Sequence, residues 1–159
     1  MRAGLPVLVL LMAIGSGACK LKSESQNMST QPKNLDAAII ILSDTVKENL
    51  KYHIVDCPPG FKSKSSKYVQ QRCFTVERDP EELLPEISKE LEKYGQLGMQ
   101  WRLDVGFWVT TYDFEGEKFG VLVSLTSSQD STFKEDNPNY EGMKTFGRFI
   151  INDERTKKP

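Results

Sequence analysis

Residues 101–125 alternate between apolar and polar side chains in two runs, and this pattern restricts the fold more than any other feature of the chain. Trp101, Leu103, Val105, Phe107 and Val109 fall on one face of an extended chain, and Phe119, Val121, Val123 and Leu125 do the same. A period of two is the signature of half-buried β-strands. Glu115-Gly116-Glu117 lies between the runs and reads as a hairpin turn. A three-residue connection sets Val109 opposite Val123 and Phe107 opposite Leu125, which unites the two apolar faces; a two-residue connection mismatches them. A sheet with one apolar face needs a layer to cover it.

Two amphipathic helices are available for that layer. From Asn34 to about Tyr52, the residues Leu35, Ile39, Leu42, Val46 and Leu50 recur at three- and four-residue steps, with Asn34 as the N-cap. Ile39–Leu42 also fits a short buried strand, but the length of the periodic stretch favours helix. Asp79-Pro80-Glu81-Glu82 opens a second helix, with Leu84, Ile87, Leu91 and Tyr94 as its buried stripe. Pro85 predicts a kink there, or a helix that starts late. His53–Cys57, Tyr68–Glu77 and Met143–Ile151 read as further strands. The expected fold is therefore α+β: a two-layer sandwich with two helices on one face of a largely antiparallel sheet of about five strands. A βαβ crossover spanning Tyr68 to Val109 inside a mixed sheet is the alternative.

The N-terminus carries a different kind of information. Arg2 is followed by an apolar run from Leu5 to Ile14 and then by small residues, the layout of a secretory signal over residues 1–18. The run is about half the ~20 residues that a membrane span requires. Ser16-Gly17-Ala18-Cys19 resembles the lipobox of bacterial lipoproteins. That resemblance implies acylation of the Cys19 thiol, a signal peptide removed before it, and attachment to a membrane of the cell envelope, the outer one if the cell has two. Secretion of a soluble protein, with cleavage guided by Ser16 and Ala18, is the competing reading. Residues 19–33 then form a polar tether, residues 34–152 a single domain, and residues 153–159 a polar tail. As a random coil the tether spans on the order of 20 Å.

Cysteine usage fits export. The chain has three cysteines, and with Cys19 carrying lipid, Cys57 and Cys73 remain to pair. Their disulfide closes a loop of about 16 residues, a constraint worth roughly 3 kcal/mol in the chain-entropy description.

Function is less legible. The formal net charge is −1, without the basic excess of a nucleic-acid binder. No CxxC, HxxxH, calcium-loop or phosphate-loop pattern occurs, so neither a metal nor a cofactor is expected. Asp130, Glu135 and Asp136 come nearest to a calcium set. His53 and Cys57 hint at a nucleophile pair, but four residues along a strand separate them by roughly 13 Å. Lys62, Lys64 and Lys67 form a basic loop suited to an anionic lipid or glycan surface. If Phe107 and Val109 face the helices, Trp108, Tyr112 and Phe114 form an aromatic row on the opposite face, a candidate binding surface. The reading that follows is a non-catalytic envelope lipoprotein that binds an envelope protein or small ligand through its sheet. A small enzyme using carboxylates, such as Asp104 with Asp113 or Glu115, is the alternative.

Overall fold

The computed structural model describes residues 31–61, 68–116, 118–128 and 142–155. The chain opens with a continuous helical run: α1 (Leu35–Ile40), a π-helical segment (Ile41–Val46) and α2 (Lys47–Leu50). As expected, Asn34 caps it, its side-chain oxygen accepting from the Ala37 amide at 2.8 Å. The buried residues Ala38, Leu42, Val46 and Leu50 are spaced by fours. In an ordinary helix each such step rotates the stripe by about 40°. The wider π segment holds Leu42 and Val46 on the core side. The Tyr52 hydroxyl, buried beneath, donates to the Leu42 carbonyl.

Six strands follow in the chain: β1 (His53–Val55), β2 (Val69–Val76), β3 (Gln96–Asp104), β4 (Phe107–Asp113), β5 (Phe119–Ser127) and β6 (Thr145–Asp153), with helix α3 (Pro80–Leu91) between β2 and β3. They form one sheet in the order β1-β2-β6-β5-β4-β3, and every neighbouring pair is antiparallel. The α+β expectation holds, the βαβ alternative does not, and the sheet has six strands rather than about five. The additional strand comes from a hairpin hidden inside the first alternating run. Val105 and Gly106 both take positive φ, 47° and 82°, and form the two-residue turn between β3 and β4. Helix α3 begins at Pro80 and continues through Pro85. Pro85 stands on its exposed side, where the Glu81 carbonyl that loses its amide partner is open to water.

One core joins both helices to one face of the sheet. Leu42, Val46 and Leu50 from the first run and Leu83, Ile87 and Leu91 from α3 pack with Phe74, Val121, Val123, Leu125, Phe149 and Ile151. Phe149 stacks on Phe74 with ring centroids 4.7 Å apart, and Tyr52 lies 4.6 Å from the same ring.

The face assigned to β4 is corrected. Tyr112 and Phe114 are buried in this core, and the Trp108 ring packs against it. The connection after β4 is one residue longer than 115–117: the Phe114 amide donates to the Phe119 carbonyl. Trp108 therefore lies opposite Leu125, Thr110 opposite Val123 and Tyr112 opposite Val121. A one-residue change in register exchanges every side chain between the faces, so Phe107, Val109 and Thr111 point away from the helices.

Arg155 fixes the two ends of the domain. Its guanidinium donates to the Lys33 carbonyl at 2.9 Å, pairs with Glu115 at 2.8 Å and Asp153 at 3.1 Å, and lies 4.3 Å over the Phe119 ring. The segment before the domain thus enters at the β4–β5 turn, and the Val105–Gly106 turn lies at the other end of β4.

Candidate functional site: the open face of the sheet

The strand register arranges the face away from the helices in rows. Cys73, Arg148, Ser124, Val109 and Arg102 form one row across β2, β6, β5, β4 and β3, and Gln71, Ile150, Leu122, Thr111 and Met99 form the next. Two parts of this face differ in their cover.

The first part is closed locally. The 3-10 turn Pro59–Phe61 lays the Phe61 ring 5.1 Å from Phe146 and 5.9 Å from Phe107. Cys57 and Cys73 are joined by a disulfide with a Cα separation of 5.2 Å, and with Val55 they complete this small apolar cluster. The pairing expected from the cysteine count is present. Gln71 donates its side-chain amide to the Phe61 carbonyl at 2.5 Å, which holds the turn against β2.

The second part is a shallow trough of about 400 Å³, lined by Val69, Thr111, Gly120, Leu122, Ile150 and Asn152. Asp113 and Glu154 stand on its rim. Gly120 leaves the floor low: a Cβ there would sit 2.3 Å from the Tyr112 carbonyl oxygen. The apolar side chains in the trough are only half-buried, and no described element packs over them. The Oδ1 atom of Asn152 is buried with no hydrogen-bond partner.

Arg148 stands one row from the trough, between its two parts. Its Nε donates to Ser124 Oγ at 3.3 Å, its Nη1 reaches the Phe61 carbonyl at 3.4 Å, and its guanidinium carbon lies 5.7 Å from the centre of the Phe61 ring. Burial pushes its pKa below the usual arginine value.

The residues singled out from the sequence are distributed differently. Tyr112 and Phe114 are in the core, and Trp108 turns to the helix side, where its indole N–H donates to Glu81 on α3 at 3.1 Å. Phe107, Val109 and Thr111 take their place on the open face. Asp104 ends β3 opposite Phe107, and Asp113 ends β4 six residues beyond Phe107, about 20 Å away along the strand. Glu115 is engaged by Arg155, and Asp104 lies 4.0 Å from Arg102. The structure does not bring these carboxylates together. His53 is exposed on β1, and the Cys57 thiol is consumed by the disulfide. Cys19, the residues of the signal, the basic loop Lys62, Lys64 and Lys67, and Asp130, Glu135 and Asp136 lie outside the described residues. Among the described residues there is no cluster of His, Cys, Asp or Glu suited to a metal ion, and no helix long and apolar enough to cross a membrane. Arg148 and the trough were not anticipated. Arg148 reads in the sequence as an ordinary polar member of an alternating strand, and only its position between Ser124 and Phe61 distinguishes it.

The chain matches no family model, no curated protein and no solved structure.

Proposed function

We propose that this chain is a non-catalytic binding domain, exported and held at the cell envelope by lipid on Cys19, that meets an envelope protein or small ligand through the open face of its sheet. The observation that carries the reading is the half-apolar trough, over which no described element packs while the opposite face takes both helices. Half-exposed apolar side chains gathered in a concave surface suit contact with a ligand or partner. The Cys57–Cys73 disulfide supports an oxidising compartment. The entry of the tether at the Glu115–Arg155 end supports a domain standing on its membrane with that end nearest to it.

Two measurements test this. The intact mass of the protein from its native membrane fraction is expected to carry a lipid-sized addition at Cys19, with two thiols titrating only after reduction. A lipid-free protein with free Cys57 and Cys73 would refute the anchor. A photo-cross-linking residue at Thr111, in the trough, is expected to give an adduct in native envelopes, and one at Lys89 on the exposed side of α3 is expected to give none. The reverse pattern would refute the face.

A further inference from the structure

We infer that Arg148 is the anchor for an acidic side chain of a protein partner, which lies as an extended segment along the trough from Arg148 towards Asn152. This rests on the open face being the binding surface. The first argument is the arginine itself. Arg78, Arg102 and Arg155 each lie within 4.0 Å of a carboxylate. Arg148 is half-buried and has no carboxylate partner among the described residues; its contacts are a hydroxyl, a backbone carbonyl and an aromatic face. A guanidinium drawn out of water without a counter-charge is unfavourable, and the planar fork it presents matches a carboxylate. Burial lowers its hold on the proton, the response of a cation whose surroundings lack a compensating anion.

The second argument is independent of the first. Asn152 Oδ1 is a buried acceptor with no partner. It lies four residues from Arg148 on the same face of β6, about 13 Å away. Between them are Ile150 and its row partner Leu122, with Thr111 and Val69 beside them and Gly120 keeping the floor clear. The face therefore offers a cation at one end, an apolar middle and, at the other, the Asn152 amide, whose buried Oδ1 has to turn outward to accept a hydrogen bond. About 13 Å is the length of four extended residues. An acidic side chain, two or three small apolar residues and a backbone or amide N–H meet those features in order.

Charge favours a carboxylate over a phosphate, because Arg148 supplies a single fixed positive charge, which one carboxylate balances.

The test uses the full-length oxidised protein and three variants. Arg148→Gln removes the charge, Arg148→Lys keeps it without the fork, and Arg72→Gln removes another arginine with no carboxylate partner among the described residues. In the free protein, Arg148→Gln is expected to raise the melting temperature by a few degrees, because an uncompensated charge is lost, and Arg72→Gln is expected to leave it unchanged. In envelopes the Thr111 adduct is expected to fall about tenfold in Arg148→Gln, to fall less in Arg148→Lys and to persist in Arg72→Gln. A lower melting temperature for Arg148→Gln would overturn the proposal, since the arginine would already have its counter-charge within the chain. An adduct undiminished in Arg148→Gln would overturn the anchor while sparing the face, whereas absence of the adduct in the unmodified protein would refute the face itself. A resonance of Arg148 Nε–H that moves with sodium acetate, but not with sodium chloride at equal ionic strength, supports the carboxylate. A larger response to inorganic phosphate at one tenth of that concentration would overturn the carboxylate in favour of a phosphate-bearing ligand.

Discussion

The two faces of this sheet are built from the same strands and do different work. On β5, Phe119, Val121, Val123 and Leu125 point to the helices and are buried. Between them, Gly120 and Leu122 line the trough on the other face, over which no described element packs. The helix-covered face collects the aromatic stack and both apolar stripes. The open face has one small cluster, fixed by a disulfide rather than by a layer, and next to it a charged residue with no counter-charge among the described residues. Among the described residues, the main core lies on one side of the sheet.

The largest effects are expected from disturbing the covered face. Phe149→Ala removes the ring that packs against both Phe74 and Tyr52 and should destabilise the domain by about 3–5 kcal/mol, read by denaturant unfolding. The open face has its own fixed point: replacing Cys57 and Cys73 by serine should cost roughly 3 kcal/mol and leave the helix-side core intact by near-ultraviolet circular dichroism.

A smaller effect separates the faces by pH. Burial first, and Asp44 second, raise the Tyr52 hydroxyl above its ordinary pKa of 10.0. A group whose pKa is higher when folded contributes fully below its unfolded value and loses that contribution as pH rises towards the folded one. Denaturant midpoints should therefore fall as pH increases above about 10, and Tyr52→Phe should flatten that decline.

The smallest expected effect is a gain. Val105 is 91% exposed and takes a left-handed backbone conformation at the first position of the β3–β4 turn. β-Branched residues pay for this conformation with about 1–2 kcal/mol, and Asn adopts it readily. Val105→Asn should raise stability by about 1 kcal/mol in thermal unfolding.

That turn also explains what the sequence conceals. Turn signals of the Asn-Gly kind are absent at Asp104-Val105-Gly106, and the alternation runs through it, so 101–114 reads as one strand. The two-residue turn sets Leu103 opposite Trp108 and places them on the same face, which reverses the parity assumed for β4. Elements with strong local signals were legible: the Asn34 cap, the stripe of the first helix, the Pro80 helix start and the antiparallel pairing. The pairing of Cys57 with Cys73 followed from the cysteine count only with Cys19 taken to carry lipid. The trough and Arg148 were not legible, because they depend on which side chains the register brings together and on what is missing beside them. Arg148 stands between Gly147 and Phe149 in the chain, and nothing local says which groups the sheet will bring beside its guanidinium.

The most direct test compares two leucines of one strand. Leu125 is fully buried under the helices, and Leu122, three residues away, is half-buried on the open face. Denaturant unfolding of Leu125→Ala and Leu122→Ala removes the same atoms from each side. Leu125→Ala should lose about 2–5 kcal/mol and Leu122→Ala less than about 1 kcal/mol. Equal losses would contradict the account, because they would mean that the face described as open is packed as tightly as the one beneath the helices.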